Sequence, residues 1–349
     1  MKIDCIAYQL GSRIVSNDEI INIVKECSKN LRPKELDRVT NQILFYLNKS
    51  GSKERRWLAK DERPIDLVCR AINKTLIKTG YKTEDIDLLI HVGLCRGFLE
   101  AGQSYFIAQS MKMNNIHCFD IMDACNSWTR GMFIAYNLIK AKEYKRILIV
   151  NTECNMMKDG IIYPSNFTIK SFKQIEYSFA GLTLSDGVSA TLLSEDNKCD
   201  WEFHFLSKPE VADYCAVPID NYDSFCLPSE MIAKNGKYNF TSFASKMQKK
   251  GIKWLIEVVE MNSEPVNNFD WIFPHGHTKN LYLEIAKELG IRPEKLKWNT
   301  YEKFGNFASA CIPIAIAMGI ESGEVKKDQK LLTAVASGGM SFSTISFTL

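Results

Sequence analysis

Short runs of β-branched and aliphatic residues alternate along this chain with stretches in which apolar residues recur every three or four positions. The two periods mark strands and helices in turn. Strands are predicted near 2–8, 87–93, 147–152 and 188–194, with helices near 64–79, 101–112 and 126–143 between them. The helix that opens at Pro64 has a proline suited to a first turn, apolar Ile65, Val68, Cys69, Ile72 and Leu76 on one face, and Gly80 just past its end. The later chain repeats the rhythm: a helical stretch at 242–260, a strand in "FDWIFPH", a helix at 278–289 closed by Gly290, another from about 307 to 322, and strands at 331–336 and 343–348. Such alternation predicts α/β layers. In both halves a strand ends at a polar or reactive residue and a helix follows, the pattern of an internal duplication. Segments 155–181 and 203–240, rich in Tyr, Phe, Asn, Ser and Pro, break the rhythm and are expected to cover something.

The composition is that of an ordinary globular protein. With 349 residues, 46% hydrophobic, 24% charged and a formal net charge of +3, the chain gives no argument for nucleic acid. Basic runs such as Lys53 to Arg56, and Lys246 with Lys249 and Lys250, are expected on solvated faces. No apolar run approaches the roughly 18 residues of a membrane span, and the N-terminus lacks a signal-peptide layout, so the expectation is a cytoplasmic protein. Eleven cysteines contain no C-x-x-C pair, which argues against zinc and against a disulfide framework. Most of these thiols are expected to be small buried hydrophobes.

Cys125 stands apart because it lies where an apolar run feeds a helix carrying Trp128, Met132, Phe133, Ala135, Tyr136 and Ile139. Unsatisfied N–H groups and the dipole at a helix start favour a thiolate nucleophile; the alternative is a packed thiol in a strand-to-helix crossover. The strand at "FDWIFPH" ends in Pro274-His275-Gly276-His277. His275, held where a strand opens into a helix, suits a buried general acid or base, whereas His277 reads as a surface loop residue. An H-x-H pair without a third ligand nearby argues against metal. Gly305-Asn306 precedes a helix start, where Asn306 either caps the helix or donates to a developing oxyanion. Gly338-Gly339 either brings backbone close to a ligand or turns between two strands.

Taken in this order, these pieces make the sequence resemble the β-ketoacyl-(acyl carrier protein) synthase III family of the thiolase superfamily over nearly its whole length. Asp123-Ala124-Cys125-Asn126 matches the nucleophile motif, Pro274-His275 the Pro-His motif, Gly305-Asn306 the Gly-Asn motif, and Ser337-Gly338-Gly339 the glycine-rich end. "LSDGVSATLLSE" and "SGSKERRWLA" resemble two further family segments. The resemblance implies an α/β thiolase-like fold in five α-β-α-β-α layers. It divides into an N-terminal half, 1–198, carrying the cysteine and a C-terminal half, 199–349, carrying the histidine and asparagine.

It also implies catalysis by Cys125, His275 and Asn306, an oxyanion hole from the N–H groups of Cys125 and Gly338, and no cofactor. The implied reaction loads an acyl group on Cys125 from an acyl-coenzyme A or acyl-carrier-protein thioester and condenses it with a malonyl thioester. Acyl transfer to an alcohol or amine, and a non-catalytic role in a heteromeric synthase, remain open at this point.

This chain departs from the family pattern at Asn126, where a small residue is usual, and at Phe307, where threonine is usual. Phe45 and Lys49 match positions at which some members hold a tryptophan and an arginine against coenzyme A. Asn126, Phe307, His277 and Phe45 are therefore the expected substrate-binding positions, and Lys279 and Arg96 the expected docking residues for an acyl carrier protein. The "NMMKDGIIYPSNFTIKSFKQIEYSF" stretch is expected to cover an acyl tunnel, and "CRGFLEAGQSYFIAQSM" to reach across a homodimer interface.

Overall fold

The computed structural model describes residues 1–158, 160–196, 201–276, 278–297 and 299–349. The elements that build its layers are, in chain order, β1 (Lys2–Leu10), α1 (Pro33–Ser50), α2 (Pro64–Thr79), β2 (Leu88–Val92), α3 (Gln103–Ser110), β3 (His117–Ile121), α4 (Ser127–Lys140), β4 (Arg146–Glu153) and β5 (Gly187–Ser194). They continue with β6 (Glu202–Ser207), α5 (Ala244–Glu260), β7 (Trp271–Pro274), α6 (Lys279–Glu288), α7 (Cys311–Glu321), β8 (Lys330–Ser337) and β9 (Ser341–Thr348).

One sheet has five strands in the order β1-β5-β4-β2-β3, and the other has four in the order β7-β8-β9-β6. Strand β2 runs parallel to β3 and β4, and β7 parallel to β8, while β1–β5, β4–β5, β8–β9 and β9–β6 are antiparallel.

Side chains alternate across a strand, so each sheet has two apolar faces to bury. On β2, Leu88, Ile90 and Val92 join Ile147 and Ile149 of β4 against α4 and α7, whereas Leu89, Leu148 and Val150 face α2 and α3. On β8, Leu331 and Val335 meet the same α4–α7 layer from the other side, while Leu332 and Ala334 face α5 and α6. The result is outer helices, sheet, central helices, sheet, outer helices: the five-layer stack that the resemblance implies. Helices α4 and α7 are the buried middle layer, and Cys125 and Asn306 lie shortly before their N-termini, while His275 and Gly338 follow strands β7 and β8.

The predicted helix at Pro64 forms as expected and ends at Gly80, whose φ of 73° is the left-handed conformation glycine accepts without cost. Several elements lie outside the predicted set, among them the helix Asn17–Cys27, α1 and strand β6, whereas β3 is the apolar run expected to feed the Cys125 helix. Strand β6 corrects the reading of 203–240 as irregular, because the first residues of that segment, to Ser207, pair with β9.

Arg55 corrects the expectation for Lys53 to Arg56. It is fully buried, with Nε donating to Leu182 O at 3.0 Å and Nη1 to Asn17 Oδ1 at 2.5 Å, and burial lowers its guanidinium to about 10. The cysteines are also less uniformly buried than expected: among the described residues only Cys154 and Cys311 are fully buried, and Cys226 is exposed. The expected boundary at 198/199 falls outside the described residues. No helix among them is long and apolar enough to cross a membrane.

Candidate active site

Strand β3 ends and α4 begins within a few residues, and the turn between them is held by its own polar groups. Asn126 N donates to Asp123 O at 2.8 Å, Ser127 Oγ to Ala124 O at 2.7 Å, and Arg130 Nε to the Asp123 carboxylate at 3.0 Å. Ala124 adopts φ 44°, a left-handed conformation that costs a non-glycine residue about 1–2 kcal/mol. Strain of this kind, immediately before Cys125, fixes where the sulfur points. Cys125 is half-buried and packs against the central apolar layer.

The Gly338 N–H donates to the Cys125 sulfur. Cys215 closes the same spot, since a Cβ on Gly338 would stand 3.3 Å from Cys215 O and 3.5 Å from its Sγ. Burial pushes the Cys125 thiol well above its ordinary range, and the Cys215, Glu153 and Cys311 groups push it further, against the Gly338 N–H. The expected thiolate at the helix start is therefore outweighed by desolvation, and the resting group is a thiol.

The second motif brings its neighbours together through a cysteine. His275 is buried; its N–H pairs with Ala334 O at 2.8 Å, and Tyr282 Oη donates to its carbonyl. The Gly276 N–H donates to Cys311 Sγ, and a Cβ on Gly276 would lie 2.7 Å from that sulfur and 3.7 Å from Asn306 Oδ1. Burial pushes the Cys311 thiol up to about 12, so it keeps its proton and donates to Asn306 Oδ1 at 3.3 Å. Ala308 N donates to the same oxygen at 2.8 Å, from a residue whose φ of 46° is again left-handed. With Oδ1 taken by two donors, the amide is orientated. Its Nδ2 carries no protein hydrogen bond among the described residues, and Asn306 is half-buried.

Gly305 turns the chain into this loop at φ 81°, where a Cβ would meet Thr183 O at 2.6 Å and Ser185 Oγ at 2.8 Å. Asn306 N donates to Thr183 O and Ser185 N to Asn306 O, both at 2.8 Å, which ties the loop to the segment before β5. Gly305→Ala is expected to cost about 2–4 kcal/mol from left-handed strain plus the clash, read as a lower urea midpoint. A midpoint unchanged from wild type would contradict this close approach.

The other expected positions are placed differently. The Asn126 side chain is fully buried and turned to β9: Nδ2 donates to Ser341 Oγ at 2.7 Å and Oδ1 accepts from Ser343 Oγ at 2.5 Å. Both polar ends of the amide are thus used as a brace between the nucleophile turn and β9. Phe307 is also fully buried, in a small cluster with Ala310, Cys311 and Ile314.

Phe45 is 56% exposed on α1 and is not among the residues lining a groove of about 790 Å³, which is lined by its neighbour Tyr46 with Lys49, Phe172, Phe179, Glu176 and Asn280 among others. That groove reaches Ser50 and Thr278, close in sequence to His275. Lys279 opens α6 between Thr278 and Asn280; its side chain, like all of His277, lies outside the described residues. Arg96 sits elsewhere, half-buried in the β2–α3 loop with Nη2 near Gly93 O at 3.5 Å, and is not among the residues lining the groove. Of the expected tunnel cover, Met156, Ile162, Phe167, Ile169 and Ile175 pack as core, while Phe172, Ile175 and Phe179 line the groove. No metal-binding cluster occurs among the described residues.

Sequence reasoning missed Cys311, Glu153 and Ser309, whose positions beside the motifs emerge only when the layers close.

Two stretches of the chain match known family models. The family model described as 3-oxoacyl-[acyl-carrier-protein (ACP)] synthase III matches residues 119–158, and the model for the C-terminal part of the same family matches residues 260–349. The β-ketoacyl-[acyl-carrier-protein] synthase III of Fusobacterium nucleatum is 24% identical over 300 residues, covering 85% of this chain and 87% of the relative. That of Clostridium tetani is 27% identical over 303 residues, covering 83% and 85%. Among solved structures, Xanthomonas campestris OleA with bound lauric acid and lauroyl-CoA superposes with a TM-score of 0.82 at 18% identity, covering 99% of this chain and 98% of that one. The 3-oxoacyl-[acyl-carrier-protein] synthase III of Aquifex aeolicus gives 0.78 at 18% identity, covering 100% and 99%. At this identity the structural likeness establishes the fold alone.

Proposed function

The chain belongs to the β-ketoacyl-(acyl carrier protein) synthase III-like family of the thiolase superfamily and is an acyltransferase, and on that premise we propose that it performs a decarboxylative condensation between an acyl group on Cys125 and a malonyl-type thioester. The observation that carries this reading is the orientated Asn306 amide, whose oxygen is spent on Ala308 N–H and Cys311 S–H, leaving two Nδ2 donors for a ligand beside the His275 strand. A site that only passed an acyl group onward would have no use for a second pair of donors aimed at an enolate.

In the first stage the Cys125 thiol adds to an acyl thioester. The C–S bond forms, the oxyanion takes hydrogen bonds from the Cys125 and Gly338 N–H groups, and the donor leaves as a thiol carrying the cysteine proton. Each oxyanion donor is worth roughly 3–4 kcal/mol in sites of this type. The Gly338 N–H already points at the sulfur.

In the second stage a malonyl thioester loses carbon dioxide. The enolate oxygen accepts from His275 and Asn306, the enolate carbon attacks the acyl carbon, and the cysteine sulfur leaves and regains a proton from solvent. The product is a β-ketoacyl thioester.

The groove lined by Tyr46 and Lys49 is the entrance for the thioester arm, with Lys49 and Lys173 the basic residues in its lining. They suit an acidic acyl carrier protein. The same reading pairs two copies through 95–111, where Phe98, Leu99 and Tyr105 are exposed apolar side chains.

Acyl-primed enzyme offered malonyl thioester alongside small alcohols and amines tests the proposal. Carbon dioxide release with a β-ketoacyl product is expected. Transfer to the alcohol or amine without carbon dioxide would replace condensation with simple acyl transfer.

A further inference from the structure

Glu153, the last residue of β4, is a fully buried carboxylate that the two stages above do not use. Its Oε1 accepts from Ser309 Oγ and, at 3.4 Å, from Ser309 N and Leu94 N, while Oε2 accepts from Asn155 Nδ2 at 2.9 Å. Asn151 Nδ2 donates to Ser309 Oγ at 3.0 Å, so Ser309 is held from both ends of one strand register. The space is built to admit the carboxylate: a Cβ on Gly93 would stand 3.1 Å from Oε1 and 2.7 Å from Thr152 O. Ser309 follows Ala308, whose N–H fixes the Asn306 oxygen, and precedes Cys311 by two residues, whose thiol fixes it from the other side. Glu153 therefore anchors the short turn that carries both restraints on Asn306.

We propose that Glu153 is a positioning residue: through Ser309 it anchors the turn that orientates Asn306 for the second stage, an inference that rests on the condensation reading.

Two variants test the anchor: Glu153→Gln keeps an acceptor for Ser309 Oγ, whereas Ser309→Ala removes the donor.

Ser309→Ala is expected to lower kcat for malonyl-thioester decarboxylation about tenfold with KM little changed, and Glu153→Gln, which keeps the acceptor, to stay within about threefold of wild type. A kcat unchanged in Ser309→Ala overturns the anchoring effect. Wild-type enzyme that does not decarboxylate malonyl thioester at all would refute the condensation reading, whereas decarboxylation that Ser309→Ala retains in full refutes only the positioning role.

Discussion

His275→Ala and Asn306→Ala are each expected to lower malonyl-thioester decarboxylation by about 10²–10³-fold, the effect of removing one preorganised donor to a developing oxyanion. Acylation of Cys125 should stay within a few-fold of wild type, because its oxyanion is held by backbone N–H groups that neither substitution touches. The split follows from the geometry. Asn306 is locked by Ala308 N–H and Cys311 S–H, so its Nδ2 meets the enolate without paying to reorganise. His275 is buried, with its backbone pinned to Ala334 O and its carbonyl to Tyr282 Oη. Rates of carbon dioxide release and of acyl-enzyme formation, measured separately by intact mass, check the prediction. Equal losses in both stages would mean that these residues support the fold of the site rather than the enolate.

Asn126→Ala is expected to destabilise the protein by about 2–5 kcal/mol, from two buried hydroxyls left without partners plus the cavity of the lost amide. The brace runs from Asn126 to Ser341 and Ser343, alternate residues of β9 that face the same side of the strand. Its loss also frees the turn that holds Cys125, so acylation should slow together with stability. Pairing it with Ser343→Ala is expected to cost less than the sum of the single changes, since removing both partners of a buried hydrogen bond is cheaper than orphaning one. Urea midpoints for the cycle check this. Strict additivity would mean that the two residues are not coupled.

The layered fold was legible in the sequence because strands such as β2 and β4 are continuous apolar runs buried on both faces, whereas helices such as α2 carry the 3.6-residue apolar period. Strand β6 escaped for a local reason: the alternation of Glu202, Phe203, His204 and Phe205 is present but short, and it adjoins a long irregular segment. Strand β3 (HCFDI) was legible only as the apolar run that feeds the Cys125 helix. The helix Asn17–Cys27 carried a readable cap, Ser16 accepting from Glu19 N, and α1 a first-turn proline at Pro33.

At the site, the order of Cys125, His275, Asn306 and Gly338 was legible, since reactive residues at strand-to-helix junctions leave a pattern along the chain. The direction of each side chain was not. Asn126 points to residues more than 200 positions away, and Phe307 into a core cluster formed with α7. Arg55 reads as one of a basic run and turns out to support the segment that holds Asn306, through Leu182. Glu153 gave no signal because a single carboxylate at a strand end becomes informative only when Ser309 is brought to it.

The central claim is that Cys125 carries the acyl group, and intact mass spectrometry after exposure to acyl thioesters of graded length, on coenzyme A and on acyl carrier protein, tests it most directly. Wild type is expected to gain the mass of one acyl group, displaced by thiol, with Cys125→Ala gaining none. An adduct that persists in Cys125→Ala, or no adduct on wild type with any donor, would contradict the account.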